Sequence, residues 1–347
     1  MWRMTARSPA SAGKEAGERE RGASAVIVAF LMVLLLGFAA LAVDVGAMYA
    51  EKAQLQNGAD SAALAVAGSC ARGACGDSTT TASFFARNNA NDGNSGAVVS
   101  FPGAATVRVE ANARPAGSST DGFNLFFARA LGFDSTQIAA SAEASWGPPS
   151  GGSTLPWTVS ECVFKRYLSP TQLADLNATG NFTGDPIPTH ILLRYDENAP
   201  DYPGCAAQNG YEPGGFGWLT TSSGCSTDIS IGSTVIGQPG NHFPNAAACN
   251  SVLATIMDQP ALIPLFNSAV GNGSNATYTL VGFAAFQVTG YKFGGPSVTH
   301  LDPAAPSCTG NCRGLQGYFS RFVSLEEGMS GSTDIPNYGA STAWLSR

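Results

Sequence analysis

From Gly22 to Val43 the chain reads GASAVIVAFLMVLLLGFAALAV, 22 residues without a charged side chain, bounded by Arg21 and Asp44. As a helix rising about 1.5 Å per residue it spans ~33 Å, close to the ~30 Å hydrocarbon core of a bilayer. A helix closes its own backbone hydrogen bonds, and this one lacks the polar stripe that a helix of a soluble core keeps. The pattern predicts a transmembrane helix at 22–43. It is longer than the roughly 7–15 apolar residues of a signal peptide, so Ala40-Leu41-Ala42, although it resembles a cleavage site, is read as part of an anchor.

Beyond Asp44 the helical pattern continues to about Ala67. Val45, Met48, Leu55, Ala59, Ala62 and Val66 fall on a heptad-like seam interrupted by Lys52, with Glu51, Gln54, Asn57, Asp60 and Ser61 on other faces. Small residues on a seam let another element come close, so these six positions are candidates for an assembly surface. Packing on the chain's own next domain is the alternative. Residues 78–90 read as a helix and 106–113 as a half-buried strand, with Val107, Val109, Ala111 and Ala113 opposed to Thr106, Arg108, Glu110 and Asn112. Phe123, Phe126, Phe127, Ala130 and Leu131 suggest a helical face, and 138–146 alternates again, so a β-α-β unit is expected.

Pro148 to Ser153 has the composition of a linker. After it, strands are expected at Trp157–Phe164, His190–Tyr195, Ile229–Ile236, Tyr278–Phe293 and Leu315–Leu325, and helices at Thr171–Asn177 and Ala246–Met257. The stretch 278–293 is apolar on both faces, as in a central strand, with a bend at Gly282 or Gly290. The expected fold is α+β: a long N-terminal transmembrane helix continuing into a small α/β domain, then a disulfide-bonded, mainly-β domain. Its divisions are a cytoplasmic tail at 1–21, the span at 22–43, helix plus α/β domain at 44–147, a linker at 148–153, and a mainly-β extracytoplasmic domain at 154–347.

Charge sets the orientation. Five basic groups (Arg3, Arg7, Lys14, Arg19, Arg21) precede the span, and positive flanks stay in the cytoplasm, which puts 44–347 outside. Without those five and the three acidic groups among them, 13 basic and 22 acidic groups remain, a net charge of −9. An acidic ectodomain with no Lys/Arg cluster excludes nucleic acid as a partner class. All eight cysteines (Cys70, Cys75, Cys162, Cys205, Cys225, Cys249, Cys308, Cys312) follow the span, an even number in an oxidising compartment, and are disulfide candidates. Cys70–Cys75 and Cys308–Cys312 suit local pairs, leaving three pairings for the other four. Neither cysteine pair lies beside another or beside His190, His242 or His300 in the manner of a zinc site, so no metal or cofactor is expected.

Arg21 to Phe30 and Asp44 to Ala65 (DVGAMYAEKAQLQNGADSAALA) carry a resemblance. With Asp44 and Gly46, Gln54-Leu55-Gln56 and Ala59-Asp60, the segment resembles the N-terminus of the TadE/TadG-like Flp (tight adherence) pilus-assembly family, and more weakly so to about Trp146. The resemblance implies a bacterial, single-pass membrane protein with a pilin-like α/β domain, no enzymatic activity, and pilus-assembly proteins or pilins as partners beside membrane lipid at 22–43. Two features of relatives are missing. Ile27 stands where prepilin peptidase substrates have Glu, and Asp228-Ile-Ser230-Ile-Gly232 lacks the last Ser of a von Willebrand A metal motif.

Chemistry is sparse. A nucleophile elbow, a Walker loop and an H-E-x-x-H helix are absent. His300-Leu301-Asp302 reads as a turn rather than half a triad. Asp44 is either a functional acid at the lipid boundary or simply hydrated there. Two readings compete with pilus assembly or cell-surface attachment: a binding module, an adhesin or cell-wall lectin, that holds its ligand in the C-terminal domain, where Trp157, Tyr211, Trp218 and Tyr291 would line a glycan site, and an exported hydrolase in which His190, His242 or His300 would have to meet a Ser and an Asp.

Overall fold

The computed structural model describes residues 16–185, 187–196, 198–200, 202–205, 216–239, 246–271, 275–294, 299–324 and 328–346. The chain opens with helix α1 (Ala16–Ala71) and α2 (Ser78–Asn88), then strands β1 (Ser95–Gly103), β2 (Thr106–Ala113) and β3 (Phe123–Asn124). A single 3-10 turn (Ala128–Leu131) leads to β4 (Ser135–Thr136), β5 (Ala139–Gly147), β6 (Pro149–Thr154) and β7 (Trp157–Ser160). Next come α3 (Glu161–Arg166), α4 (Pro170–Thr179), β8 (Ile191–Arg194), β9 (Phe216–Leu219), β10 (Thr227–Ser230) and β11 (Thr234–Gln238). The rest is α5 (Ala246–Leu253), β12 (Ala261–Val270), β13 (Thr277–Lys292), β14 (Gly314–Ser320), β15 (Phe322–Ser324), β16 (Ser330–Gly331) and β17 (Ala340–Leu345).

The architecture is a long apolar N-terminal helix followed by mixed α/β structure rich in strands. A five-stranded sheet runs β1-β2-β5-β17-β15, a three-stranded one β10-β6-β16, and a seven-stranded one β11-β9-β7-β12-β13-β14-β8. Two compact units emerge. One takes the described residues up to Gly58 with Ala86–Gly96 and Ala111–Ala140; the other takes Ala59–Phe85, Ala97–Glu110 and Ser141 onward.

In the first unit, α1 carries Gly58, where a Cβ would stand 3.3 Å from the Cα and carbonyl oxygen of Ala86. That is tighter than most side-chain contacts, so a residue larger than glycine would push the two segments apart by a few tenths of an ångström. The Asn94 amide donates to the carbonyls of Pro115 and Ser118 at 2.5 and 3.1 Å, holding the chain on either side of β2.

In the second unit the long strand β13 feeds both sides of its sheet. Tyr278, Leu280, Phe283 and Ala285 join one apolar cluster; Ala284, Phe286, Val288, Tyr291 and Phe293 join the other. One irregularity in the pairing accounts for each shift of the alternation. The pairing with β12 skips Val281, and the pairing with β14 skips Thr289. Each bulge displaces the alternation by one residue. The bends expected at Gly282 or Gly290 therefore occur beside both. A Cβ on Gly282 would lie 2.6 Å from the Tyr338 ring, and one on Gly290 2.5 Å from Gln316 Oε1. The helix α4 is bounded by local chemistry: Pro170 opens it, Ser169 and Gln172 exchange a reciprocal capping box, and Gly180 at φ 71° ends it.

Several expectations need correction. The Pro/Gly/Ser stretch at 148–153, expected as a linker, mostly forms β6, paired with β10 and β16. Its glycines are there for space: a Cβ on Gly152 would overlap the sulfur of Met329, and one on Gly151 would lie 3.0 Å from the carbonyl of Ile229. The last strand, β17, pairs antiparallel with β5, setting Ala343 against Trp146, so chain on both sides of that stretch shares one unit. Trp157–Phe164 is a strand only to Ser160 and then turns into α3. Ile229–Ile236 is two strands split by a turn at Gly232, φ 82°. The helix expected around Phe123–Leu131 is one 3-10 turn with no buried residue, so the connection in the expected β-α-β unit is not a helix.

Candidate functional site

The family-like segment lies entirely on α1, and the site is built from that helix outward. Residues 24–43 are exposed along the apolar run apart from half-buried Ala40, with Leu31, Leu35 and Leu41 at 52, 68 and 60 % exposure. Among the described residues α1 is the one helix long and apolar enough to cross a membrane, and none of its most apolar stretch is buried. Past the span the same helix becomes a packed element. Leu55, Ala59, Ala62 and Val66 are 2 % exposed or less. They are covered by the chain itself, which removes these four from the assembly surface expected on the seam. Of the six candidates Val45 remains exposed and Met48 half-buried.

The change from bare to packed helix begins at Asp44, which is 4 % exposed. Its Oδ1 accepts the backbone N–H groups of Phe126 (2.8 Å) and Phe127 (3.2 Å), and its Oδ2 those of Phe127 (3.1 Å) and Ala128 (2.7 Å). These donors stand at the start of the 3-10 turn, where no carbonyl of the turn itself can reach them. Burial alone would raise the carboxyl pKa, but the three donors outweigh it and hold the group below the ordinary carboxylate range. Asp44 is thus neither a free intramembrane acid nor a hydrated surface group. It is an anion committed to three amides. The loop it grips is closed below by the β3–β4 pair (Phe123 with Thr136, Asn124 with Ser135) and the Leu125 N–H to Asp134 carbonyl bond, and its turn ends at Gly132 in left-handed geometry.

Two more tethers follow along α1 in the same unit. Lys52 donates to the carbonyl of Ala139, and Gln54 Oε1 accepts the N–H of Asn91 at 2.8 Å. Lys52, which interrupts the apolar seam, therefore has a backbone partner at the start of β5. None of these partnerships is legible in sequence spacing, because 82 to 84 residues separate Asp44 from its donors.

The chemistry-bearing side chains go elsewhere. His190 Nδ1 lies 2.5 Å from Asp302 Oδ2, an oxygen that also accepts from the Thr289 hydroxyl at 2.5 Å, while Oδ1 accepts from the Ala304 N–H. The Asp302 N–H donates to Gln316 Oε1 at 2.8 Å. Burial opposes ionisation of Asp302, and the Thr289, His190 and Ala304 hydrogen bonds lower its pKa nonetheless. This network fastens the 300–304 turn to the bulge in β13. Among the described residues it brings His190 to an aspartate and a threonine, with no serine hydrogen-bonded to the ring. His300 pairs through its backbone with Tyr291, and His242 and Tyr211 lie outside the described residues. Trp157, Trp218 and Tyr291, considered as glycan contacts, are 0, 4 and 5 % exposed and pack in the core against Phe216 and Phe293. The cysteines pair as Cys70–Cys75, Cys162–Cys205, Cys225–Cys249 and Cys308–Cys312.

Residues 22–69 match the Flp pilus-assembly TadE/G-like family model, Tad. The match begins with the apolar run and ends two residues short of the end of α1. It supports a pilus-related role. No curated protein and no solved structure matches the chain.

Proposed function

We propose that this chain is a non-enzymatic, membrane-anchored component of Flp/Tad pilus assembly. Residues 22–43 cross the bilayer, the N-terminus lies in the cytoplasm, and 44–347 form the extracytoplasmic part. The observation that carries this reading is continuity. The matched segment coincides with one unbroken helix that is bare and apolar over the length of a bilayer and then buried along one face from Leu55 onward. A helix built this way anchors and also serves as the first element of the folded part, as in pilin-like proteins. Asp44, Lys52 and Gln54 bind it to the rest of its unit, so a pull on the anchor is transmitted to folded structure.

With the Leu55–Val66 seam occupied internally, the face open to another assembly protein or pilin is Val45, Tyr49 and Ala53, one helical turn apart on α1, with Met48 beside them. Val45 and Tyr49 are 43 and 79 % exposed. The orientation is tested by fusing an enzyme that is active only outside the cytoplasm after Arg347. Activity is expected; an expressed but inactive fusion overturns the topology. Tyr49→Asp should leave thermal stability unchanged and reduce co-purification of other pilus components. Unchanged recovery of those components would sink the proposed contact face.

A further inference from the structure

The loop that Asp44 holds is unusual for a water-exposed segment. Phe126, Phe127, Leu131 and Phe133 are 68, 51, 80 and 64 % exposed within eight consecutive residues, with Ala128, Arg129, Ala130 and Gly132 between them. Contiguous exposed apolar surface of this kind marks an interaction site. Its position says which. Asp44 is the first residue after the apolar run, about 1.5 Å along the helix axis from the last one. Its carboxylate, at 2.7 to 3.2 Å, holds the backbone of Phe126, Phe127 and Ala128 at that level.

We propose that Phe126, Phe127, Leu131 and Phe133 form a second membrane contact, entering the interfacial layer of the bilayer on the face where α1 emerges. The proposal rests on the reading of 22–43 as a membrane span. Its occupant is lipid because the loop is fixed at the end of the lipid-facing run and continues that apolar surface sideways. Phe and Leu side chains bury roughly 5–10 Å into the headgroup and acyl boundary in interfacial segments. Arg129, 61 % exposed and 3.7 Å from Asp134 at its closest, has a stem long enough to keep its guanidinium among headgroups while the turn sits lower. Two contacts, the span and the loop, would restrict tilting and rotation of the first unit about α1, which one helix cannot do. Burying Asp44 under three amide donors also supplies what the boundary requires: the amides that open the turn are satisfied without water.

The test uses the full chain in vesicles of phosphatidylethanolamine and phosphatidylglycerol, with part of the lipid brominated near the headgroup end of its acyl chains. Leu131→Trp reports the loop and Leu35→Trp the span, after subtraction of the signal of the unmodified chain. The expected result is quenching of both, with Leu131→Trp quenched at least about half as strongly as Leu35→Trp. Adding Asp44→Asn should weaken the Leu131→Trp quenching roughly twofold or more while leaving Leu35→Trp unchanged, because only the loop is released. If Leu35→Trp is quenched and Leu131→Trp is not, the loop stays in water or against a protein, and the proposal is overturned while the anchor stands. If neither is quenched, the span itself is wrong and the loop contact falls with it. Phe126→Trp gives the same readings should Leu131→Trp fail to fold.

Discussion

Arg321 Nη2 donates to the carbonyl of Ala71 at 3.3 Å, joining the last residue of α1 to the turn between β14 and β15, 250 positions later. The last turn of α1 has no basic residue of its own, and its free carbonyls form the negative end of the helix. Gly73, at φ 100°, leaves the passage: a Cβ there would stand 2.5 Å from the guanidinium. The C-terminal half of the chain thus supplies the basic partner that the last turn of the N-terminal helix lacks.

Replacing that cap has a measurable cost. Arg321→Ala should destabilise the detergent-solubilised chain by about 0.5–1.5 kcal/mol, a few degrees in Tm, and Arg321→Lys should restore part of it. A Tm equal to that of the unmodified chain would show that the contact contributes nothing.

Acid should weaken the protein through Asp196. Burial opposes its ionisation, but the Arg194 fork and the N–H groups of Arg313 and Asn198 lower its pKa to about 2. A carboxyl lowered on folding contributes stability above its unfolded value, and that stability is lost as pH falls through the folded one. Urea midpoints should therefore drop between about pH 4 and pH 2, with Asp196 accounting for on the order of 1 kcal/mol after allowance for solvent screening. Asp196→Asn should lower the midpoint at neutral pH and flatten the acid limb. An acid limb as steep as before would place the effect on other carboxylates.

The disulfides should differ in weight. Cys162–Cys205 and Cys225–Cys249 close spans of 43 and 24 residues, against 5 and 4 for Cys70–Cys75 and Cys308–Cys312. Loop entropy assigns about 3–4 kcal/mol to each long pair and about 2 to each short one. Double Cys→Ser variants ranked by Tm should follow that order. A reversed order would mean that native-state contacts, rather than the unfolded chain, decide the cost.

The sequence was most legible where one physical effect acts alone. The apolar run at 22–43 and the alternation of Val107, Val109, Ala111 and Ala113 each show their structure locally. The sequence misleads where two requirements use the same residues. Gly151 and Gly152 have the composition of a linker but are glycines because Ile229 and Met329 press on β6. Phe126, Phe127 and Leu131 are spaced like a buried helical face, yet they lie on a turn whose shape is imposed by Asp44, far away in the chain. The two bulges of β13 were partly readable, since Gly282 and Gly290 mark them. Which residue is skipped at each depends on partner strands that no local pattern encodes. The His190–Asp302 and Asp44–Ala128 contacts were hidden for the same reason: each joins residues through topology, over a separation that carries no periodic signal.

The seam on α1 yields the last prediction, and it separates what the helix does inside the chain from what it does for a partner. Ala59, Ala62, Ala63, Val66 and Ala67 are all 0 % exposed, so the helix is covered here along a row of small side chains. Such a row buries little area per residue and depends on close backbone approach, which leaves no room for added volume. Ala62→Leu should cost roughly 1–3 kcal/mol as neighbours shift to accept three more carbons. Thermal unfolding of the full chain in detergent should show that loss, and co-purification of pilus components should fall only in proportion to the folded fraction. Ala53→Leu, one face away and exposed, should do the opposite, with stability kept and recovery of partners reduced. If Ala62→Leu keeps its full Tm yet loses partners, the buried seam opens during assembly, and the division of α1 into an inner seam and an outer contact face is wrong.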